Sequence, residues 1–259
     1  MATDAVQLPV LWQLELSHFN EKVRWALDHK GIPHVRRSLL PGQHRLVAKR
    51  LTGDSITTPV LTLNGSSIGD STQIIAALEE RWPEPALYPT EAADRRRALE
   101  LEDFFDEQLG PHIRRAIYWD LIDHPKQLLP LFTHGQPLAK RLLFRAVFPL
   151  LRFGMRRDLN IREAPSERSR AATFAALDRL EAEIGPSGYL VGDRFTVADL
   201  TAASLFYPLA MPPEFPYPLI SDPPAGVVAV LEETAERPGI KWVGEMYRRH
   251  RGVSAERAG

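Results

Sequence analysis

Three short stretches carry the residues that could do chemistry. In the first, Leu16-Ser17-His18-Phe19-Asn20-Glu21-Lys22-Val23-Arg24-Trp25-Ala26-Leu27, an apolar run from Leu8 to Leu14 reads as a strand, after which Phe19, Val23, Ala26 and Leu27 recur at helical spacing. Ser17 thus falls where a strand hands over to a helix, its hydroxyl near the positive end of that helix. An anion can be held there, and a serine there is equally an ordinary N-cap. In the second, Gly69-Asp70-Ser71-Thr72-Gln73 opens a helix with Ile74, Ile75, Leu78 and Trp82 on its apolar face. Asp70 or Ser71 is the N-cap, and the free N–H groups beside it suit a carboxylate. In the third, Thr196 and Asp199 have the spacing of a capping box, with Asp in place of the usual Glu or Gln, and would nucleate a buried helix from Val197 to Tyr207.

The composition removes whole classes of chemistry. The chain has 259 residues and no cysteine, so disulfides, thiolate metal sites and a cysteine nucleophile are out. Its eight histidines show no ligand spacing, and no metal is expected. A net charge of -1 makes no case for nucleic acid. The start carries Asp4 and no long apolar core, so it does not read as a signal peptide, and no apolar run reaches the ~18 residues of a membrane span. The expected location is the cytoplasm.

Several elements must position those residues. Lys30-Gly31-Ile32-Pro33 stops the first helix, and His34 to Leu39 reads as a second strand, parallel to the first by the handedness of strand–helix–strand units. Gln43 to Leu51 is a short helix or an ordered loop. Leu61, Leu63 and Ile68 flank Asn64-Gly65, a strong hairpin signal, and Pro59 heads the first strand of that hairpin as a candidate cis peptide. Trp82 to Glu91 is proline-rich, a boundary composition. Beyond it only helical segments are expected: Ala93 to Gly110, His112 to Leu121, Leu138 to Asn160 and Ser166 to Ile184. Two domains result, residues 1–83 with a small mixed sheet and residues 92–252 all-helical, with a cleft between sheet and bundle.

The first domain resembles the thioredoxin-like N-terminal domain of cytosolic glutathione S-transferases. Ser17-x-x-x-x-Lys22-Val23-Arg24-x-Ala26-Leu27 is similar to the first-helix motif of the serine- and cysteine-type classes, Thr58-Pro59-Val60-Leu61 to their cis-proline segment, and Asp70-Ser71 to their acidic-serine pair. The capping motif at Thr196 and Asp199, after Gly192-Asp193, matches a folding motif of their C-terminal domain, and Arg237-Pro238-Gly239-Ile240-x-Trp242 is similar to their last helices.

The resemblance implies glutathione as co-substrate. Ser17 would stabilise its thiolate, although His18 stands where many relatives have proline, so Asn20 one turn on is the alternative donor. His18 is a second polar contact or a surface residue. Thr58 and Pro59 would present backbone to the tripeptide, Ser71 would take the γ-glutamyl carboxylate, and Asp70 its ammonium. His44 is preferred for the glycyl carboxylate over Arg45, Lys49, Arg36 or Arg37. Tyr118, Trp119 and Phe132 are candidates for the acceptor pocket, although aromatics at that spacing are more often core. Thr196 and Asp199 are given a structural N-cap role.

The implied function is a detoxifying transferase in which the thiolate attacks a small hydrophobic electrophile. An isomerase or lyase would use the same thiolate, and a non-catalytic ligand- or partner-binding protein of the same fold is the alternative. A homodimer is implied by the family. Gln127 to Pro165 looks longer than usual, and Pro208 to Pro224 reads as a proline-rich loop. Within the first of these, Lys140 to Arg157 is apolar and basic, as a membrane-surface helix would be. Pro149 and Gly154 speak against one long interfacial helix, so the segment is read as a core helix with basic ends and membrane association is not expected.

Overall fold

A computed structural model describes residues 7–258; Asp4 lies outside them. The chain forms two compact units, Met1–Ala86 with Gly252–Gly259, and Leu87–Arg251.

The first unit is built on a four-stranded sheet in the order β2-β1-β3-β4. Its strands are β1 (Val10–Gln13), β2 (Val35–Ser38), β3 (Val60–Leu63) and β4 (Ser66–Gly69). β1 pairs parallel with β2, Val10 opposite Val35, and antiparallel with β3, Leu11 opposite Leu61. The Asn64-Gly65 turn has positive φ at both residues, 50° and 81°, which matches the twist of the β3–β4 hairpin. The Thr58–Pro59 peptide at the head of β3 is cis.

Helices α1 (His18–His29) and α3 (Ser71–Arg81) pack side by side, and α2 (Gln43–Thr52) packs on the sheet. α1 is buried almost all round. Val23, Trp25, Ala26 and Leu27 are fully covered, but so are Glu21, Lys22 and Arg24. An apolar side chain buried this completely contributes about 1.5–3 kcal/mol. The covered charges each need a partner instead. Lys30 clamps the end of α3, donating to the carbonyls of Trp82 (2.7 Å) and Pro85 (2.9 Å) and pairing with Glu79.

The second unit is helical: α4 (Ala92–Phe104), α5 (Gly110–Leu121), α6 (Pro125–Phe132), α7 (Leu138–Asp158), α8 (Glu163–Glu183), α9 (Val197–Ala210), α10 (Ala225–Ala235) and α11 (Pro238–His250). α9 is its core, buried on nearly every side and packed against α4, α5, α10 and α11. A helix apolar all round has nowhere else to go.

The chain continues helical past Pro111 as expected, whereas the readings of Pro208 and of the Lys140 to Arg157 segment are corrected. A π-helical turn, Phe105–Leu109, carries α4 into α5 without a break, and Pro111 follows in the first turn of α5. Pro208 belongs to the last turn of α9, not to the following loop. α7 is one helix of 21 residues that runs through Pro149. Pro149 is exposed, so the backbone carbonyl it leaves unbonded can be solvated. Nor is α7 a core helix. Phe144 and Phe148 are buried, but Leu138, Leu142, Leu143, Leu150 and Phe153 are all exposed.

Candidate active site

Ser17 is the N-cap of α1, in extended backbone (φ −81°, ψ 123°), and its Oγ accepts the Asn20 N–H at 3.4 Å. It is half-buried, and no acceptor among the described residues takes its hydroxyl proton. Asn20 is fully buried. Its Nδ2 donates to Thr58 Oγ1 at 3.3 Å, and its Oδ1 has no hydrogen-bond partner among the described residues. Ser17, Asn20 and Thr58 are thereby brought together. The Thr58 N–H and carbonyl, just outside β3, have no backbone partner among the described residues.

α3 begins at the same end of the unit's bonding network, since the fully buried Lys22 donates from Nζ to Thr72 Oγ1 at 3.1 Å. Asp70 is the N-cap. Its Oδ1 accepts the N–H groups of Thr72 (3.0 Å) and Gln73 (3.1 Å). This settles the choice between Asp70 and Ser71. Asp70 holds a φ of 68°, a region costing a non-glycine residue roughly 1–3 kcal/mol and concentrated at ligand clamps. Ser71 is 4% exposed, and no partner among the described residues takes its N–H or its hydroxyl. With Thr72 and Gln73 capped, the Ser71 N–H is the open donor of the first turn.

His44 lies in the first turn of α2, where its Nδ1 accepts the Gly42 N–H at 3.1 Å, so the proton of the neutral ring is on Nε2. His18 is not a surface residue: it is 4% exposed, its ring 4.7 Å from that of Phe19.

Sequence reasoning did not find what holds the loop before Ser17. Arg24, fully buried, donates to Glu21 (2.8 Å), to Gln13 Oε1 (2.9 Å) and to the carbonyls of Leu14 (3.4 Å) and Glu15 (3.0 Å). The only sequence signal was its place in the first-helix motif.

In the second unit, Tyr118 and Trp119 are one residue apart on α5 and therefore face different ways. Tyr118 packs on Phe132, ring centroids 6.3 Å apart, and burial pushes its hydroxyl up to about 12. Trp119 lines a largely apolar cavity of about 130 Å³ with Ile113, Phe174, Leu209 and Val227. Asp120 and Arg170 are on its wall, and burial raises the Asp120 carboxyl above its ordinary range. The capping box is formed: Asp199 accepts from the N–H groups of Leu190 (2.9 Å) and Thr196 (2.8 Å) and from Thr196 Oγ1 (2.8 Å).

The sheet-bearing unit with its paired helix N-termini, followed by a helical unit built on a capped central helix, finds its counterpart among known proteins. The family model "Glutathione S-transferase, N-terminal domain" matches residues 11–86, and "Glutathione S-transferase, C-terminal domain" matches residues 163–232. Together they take in more than half of the chain, which belongs to the glutathione S-transferase superfamily.

Solved structures share the fold at low identity. The beta-etherase LigF of Sphingobium sp. strain SYK-6 is 20% identical over 92% of this chain and 99% of its own, with a TM-score of 0.61. A glutathione S-transferase of Methylobacterium radiotolerans, solved with glutathione sulfonate, is 19% identical over 98% of this chain and 97% of its own, with a TM-score of 0.63. The theta class enzyme of Xanthomonas axonopodis pv. citri, with glutathione bound, is 17% identical over 95% of this chain and 98% of its own, with a TM-score of 0.57. No curated protein matches the sequence.

Proposed function

We propose that this chain is a glutathione transferase whose first unit binds the tripeptide and whose Ser17 hydroxyl donates to its sulfur. The observation that carries the reading is the set of uncommitted donors and acceptors at the N-terminal ends of α1 and α3 and the head of β3: the Ser17 hydroxyl, the Ser71 N–H and hydroxyl, and the Thr58 backbone. Each suits one part of glutathione. Ser71 takes the γ-glutamyl carboxylate at a helix N-terminus. The exposed Asp70 takes the ammonium. The Thr58 N–H and carbonyl pair with the cysteinyl peptide as a strand edge would. The His44 Nε2–H suits the glycyl carboxylate.

Ser17 is preferred over Asn20 as the sulfur ligand because Asn20 is fully buried and gives one amide N–H to Thr58, whereas Ser17 is only half-buried. Asn20 is then a positioning residue, holding the Thr58 segment to α1. A thiol has a pKa of about 8.5, and a hydroxyl donor at a helix N-terminus lowers it. The thiolate lone pair forms the new S–C bond on an electrophilic carbon, and the leaving group departs with the old bonding pair. The acceptor is a small apolar electrophile. Of the aromatic candidates for it, Trp119 borders the apolar cavity of the second unit.

The test is Ser17→Ala. Glutathione affinity by calorimetry should change little, the pKa of the bound thiol (followed by thiolate absorbance) should rise towards about 8.5, and turnover should fall by about 10²-fold. An unchanged thiol pKa and turnover overturn the role of Ser17. No glutathione binding by the unaltered protein at millimolar ligand overturns the whole reading and leaves a non-catalytic partner-binding protein.

A further inference from the structure

α7 lies between the two stretches that match the family models, 11–86 and 163–232. Its inner side is held by Phe144 and Phe148, whose rings sit 6.1 and 6.5 Å from that of Phe132. Its outer side is not covered by any of the described residues. Leu138, Leu142, Leu143, Leu150 and Phe153 are 59–75% exposed. At 100° per residue they fall on one face of the helix, along a stripe of roughly 22 Å. Soluble proteins seldom leave so long an apolar stripe in water.

The charge pattern says what suits this face. From Leu138 to Arg157 the helix has no acidic residue. Arg141, Arg145, Arg152 and Arg156 form a second stripe along one edge of the apolar face, and Lys140 and Arg157 add two more cations. Asp123 is shared by Arg152 and Arg156, while Arg141 and Arg145 are exposed. A second copy laid on this face would set arginines against arginines, with Asp123 offsetting only one charge on each side. A nucleic acid would meet the arginines and leave the leucines wet. An anionic bilayer takes both, acyl chains against the apolar stripe and headgroup phosphates against the arginines. No helix among the described residues is long and apolar enough to cross a membrane, so α7 would lie on the surface.

We propose that the outer face of α7, apolar and edged with arginines, docks this protein on the surface of an anionic phospholipid bilayer. This reverses the expectation from sequence, and it does not depend on the glutathione reading.

The experiment is flotation of the full chain with vesicles of phosphatidylcholine alone or with roughly one-third phosphatidylglycerol. The protein should float with the anionic vesicles, less so with the neutral ones, and less as salt is raised. The exposed triple variant Leu142→Glu/Leu150→Glu/Phe153→Glu should lower partitioning by about tenfold or more. Arg141→Gln/Arg145→Gln, which leaves the apolar stripe intact, should lower it severalfold. Protein that stays in the aqueous fraction, variants that float like the parent, or equal binding to neutral vesicles overturn the proposal. So does a sedimenting dimer that the glutamates split, if the parent ignores vesicles, since the face is then covered by a second copy.

Discussion

Arg24 gives its guanidinium to the loop that presents Ser17. Its side chain and that of Glu21 are both fully buried, 2.8 Å apart, and its remaining N–H groups go to Gln13 and to the carbonyls of Leu14 and Glu15. A buried pair is weak evidence of net stability, but removing one partner strands the other. Arg24→Met is therefore expected to cost about 3–5 kcal/mol, read from urea denaturation, and to weaken glutathione binding by loosening the loop. Arg24→Lys should not restore either, because an ammonium cannot fork between a carboxylate, an amide and two carbonyls. Stability within error of the parent for Arg24→Met would refute the role. The caps at Ser17 and Asp70 were legible in the sequence because a cap and its helix are neighbours. Lys22, Asn20 and Arg24 were not, because their function is set by where they end. Asn20 meets Thr58 across 38 positions and Lys22 meets Thr72 across 50, distances at which spacing carries no information.

At the scale of elements the same contrast separates α9 from α7. The capping box of α9 lies within four residues, and Asp199 completes it from a fully buried position. Burial pushes its carboxyl up to about 6, against hydrogen bonds that lower it. Asp199→Ala leaves the Leu190 and Thr196 N–H groups without an acceptor, an expected loss of about 3 kcal/mol in chemical denaturation. With a folded-state pKa above the ordinary 3.8, the folded protein keeps this proton longer than the unfolded chain. Its contribution is complete below about 3.8, is lost as pH rises through about 6, and is level above that. Asp199→Asn should remove that part of the pH dependence while keeping one of the carboxylate's acceptor bonds. α7 was readable only as apolar and basic. Which side of it meets Phe132 is decided by α6, and nothing in the local pattern says that the other side stays exposed.

At the scale of the whole molecule, the segment after α11 returns to complete the first unit. Gly252–Gly259 groups with the first unit, although α11 just before it belongs to the second. β2 is an edge strand, and an edge left bare invites pairing with other chains. The tail covers part of it: the Arg257 N–H donates to the His34 carbonyl at 2.8 Å, and His34 and Glu256 form a parallel bridge. It also supplies Asp28, at the end of α1, with two donors, the Ala255 N–H at 2.8 Å and Ser254 Oγ at 3.2 Å. Asp28 pairs with Arg36 at 2.6 Å, and both side chains are almost fully buried, so this ion pair relies on the tail for shielding as well as for hydrogen bonds. Ending the chain at Arg251 should cost the first unit about 1–3 kcal/mol. Hydrogen exchange should locate the loss, with faster exchange at β2 and the end of α1 and unchanged exchange in α9. Glu256→Ala removes only a half-exposed partner of Arg36, 3.7 Å away, and should do little. If the truncated chain kept the parent's exchange pattern at β2, the tail would be a passenger, and the first unit would be complete without it.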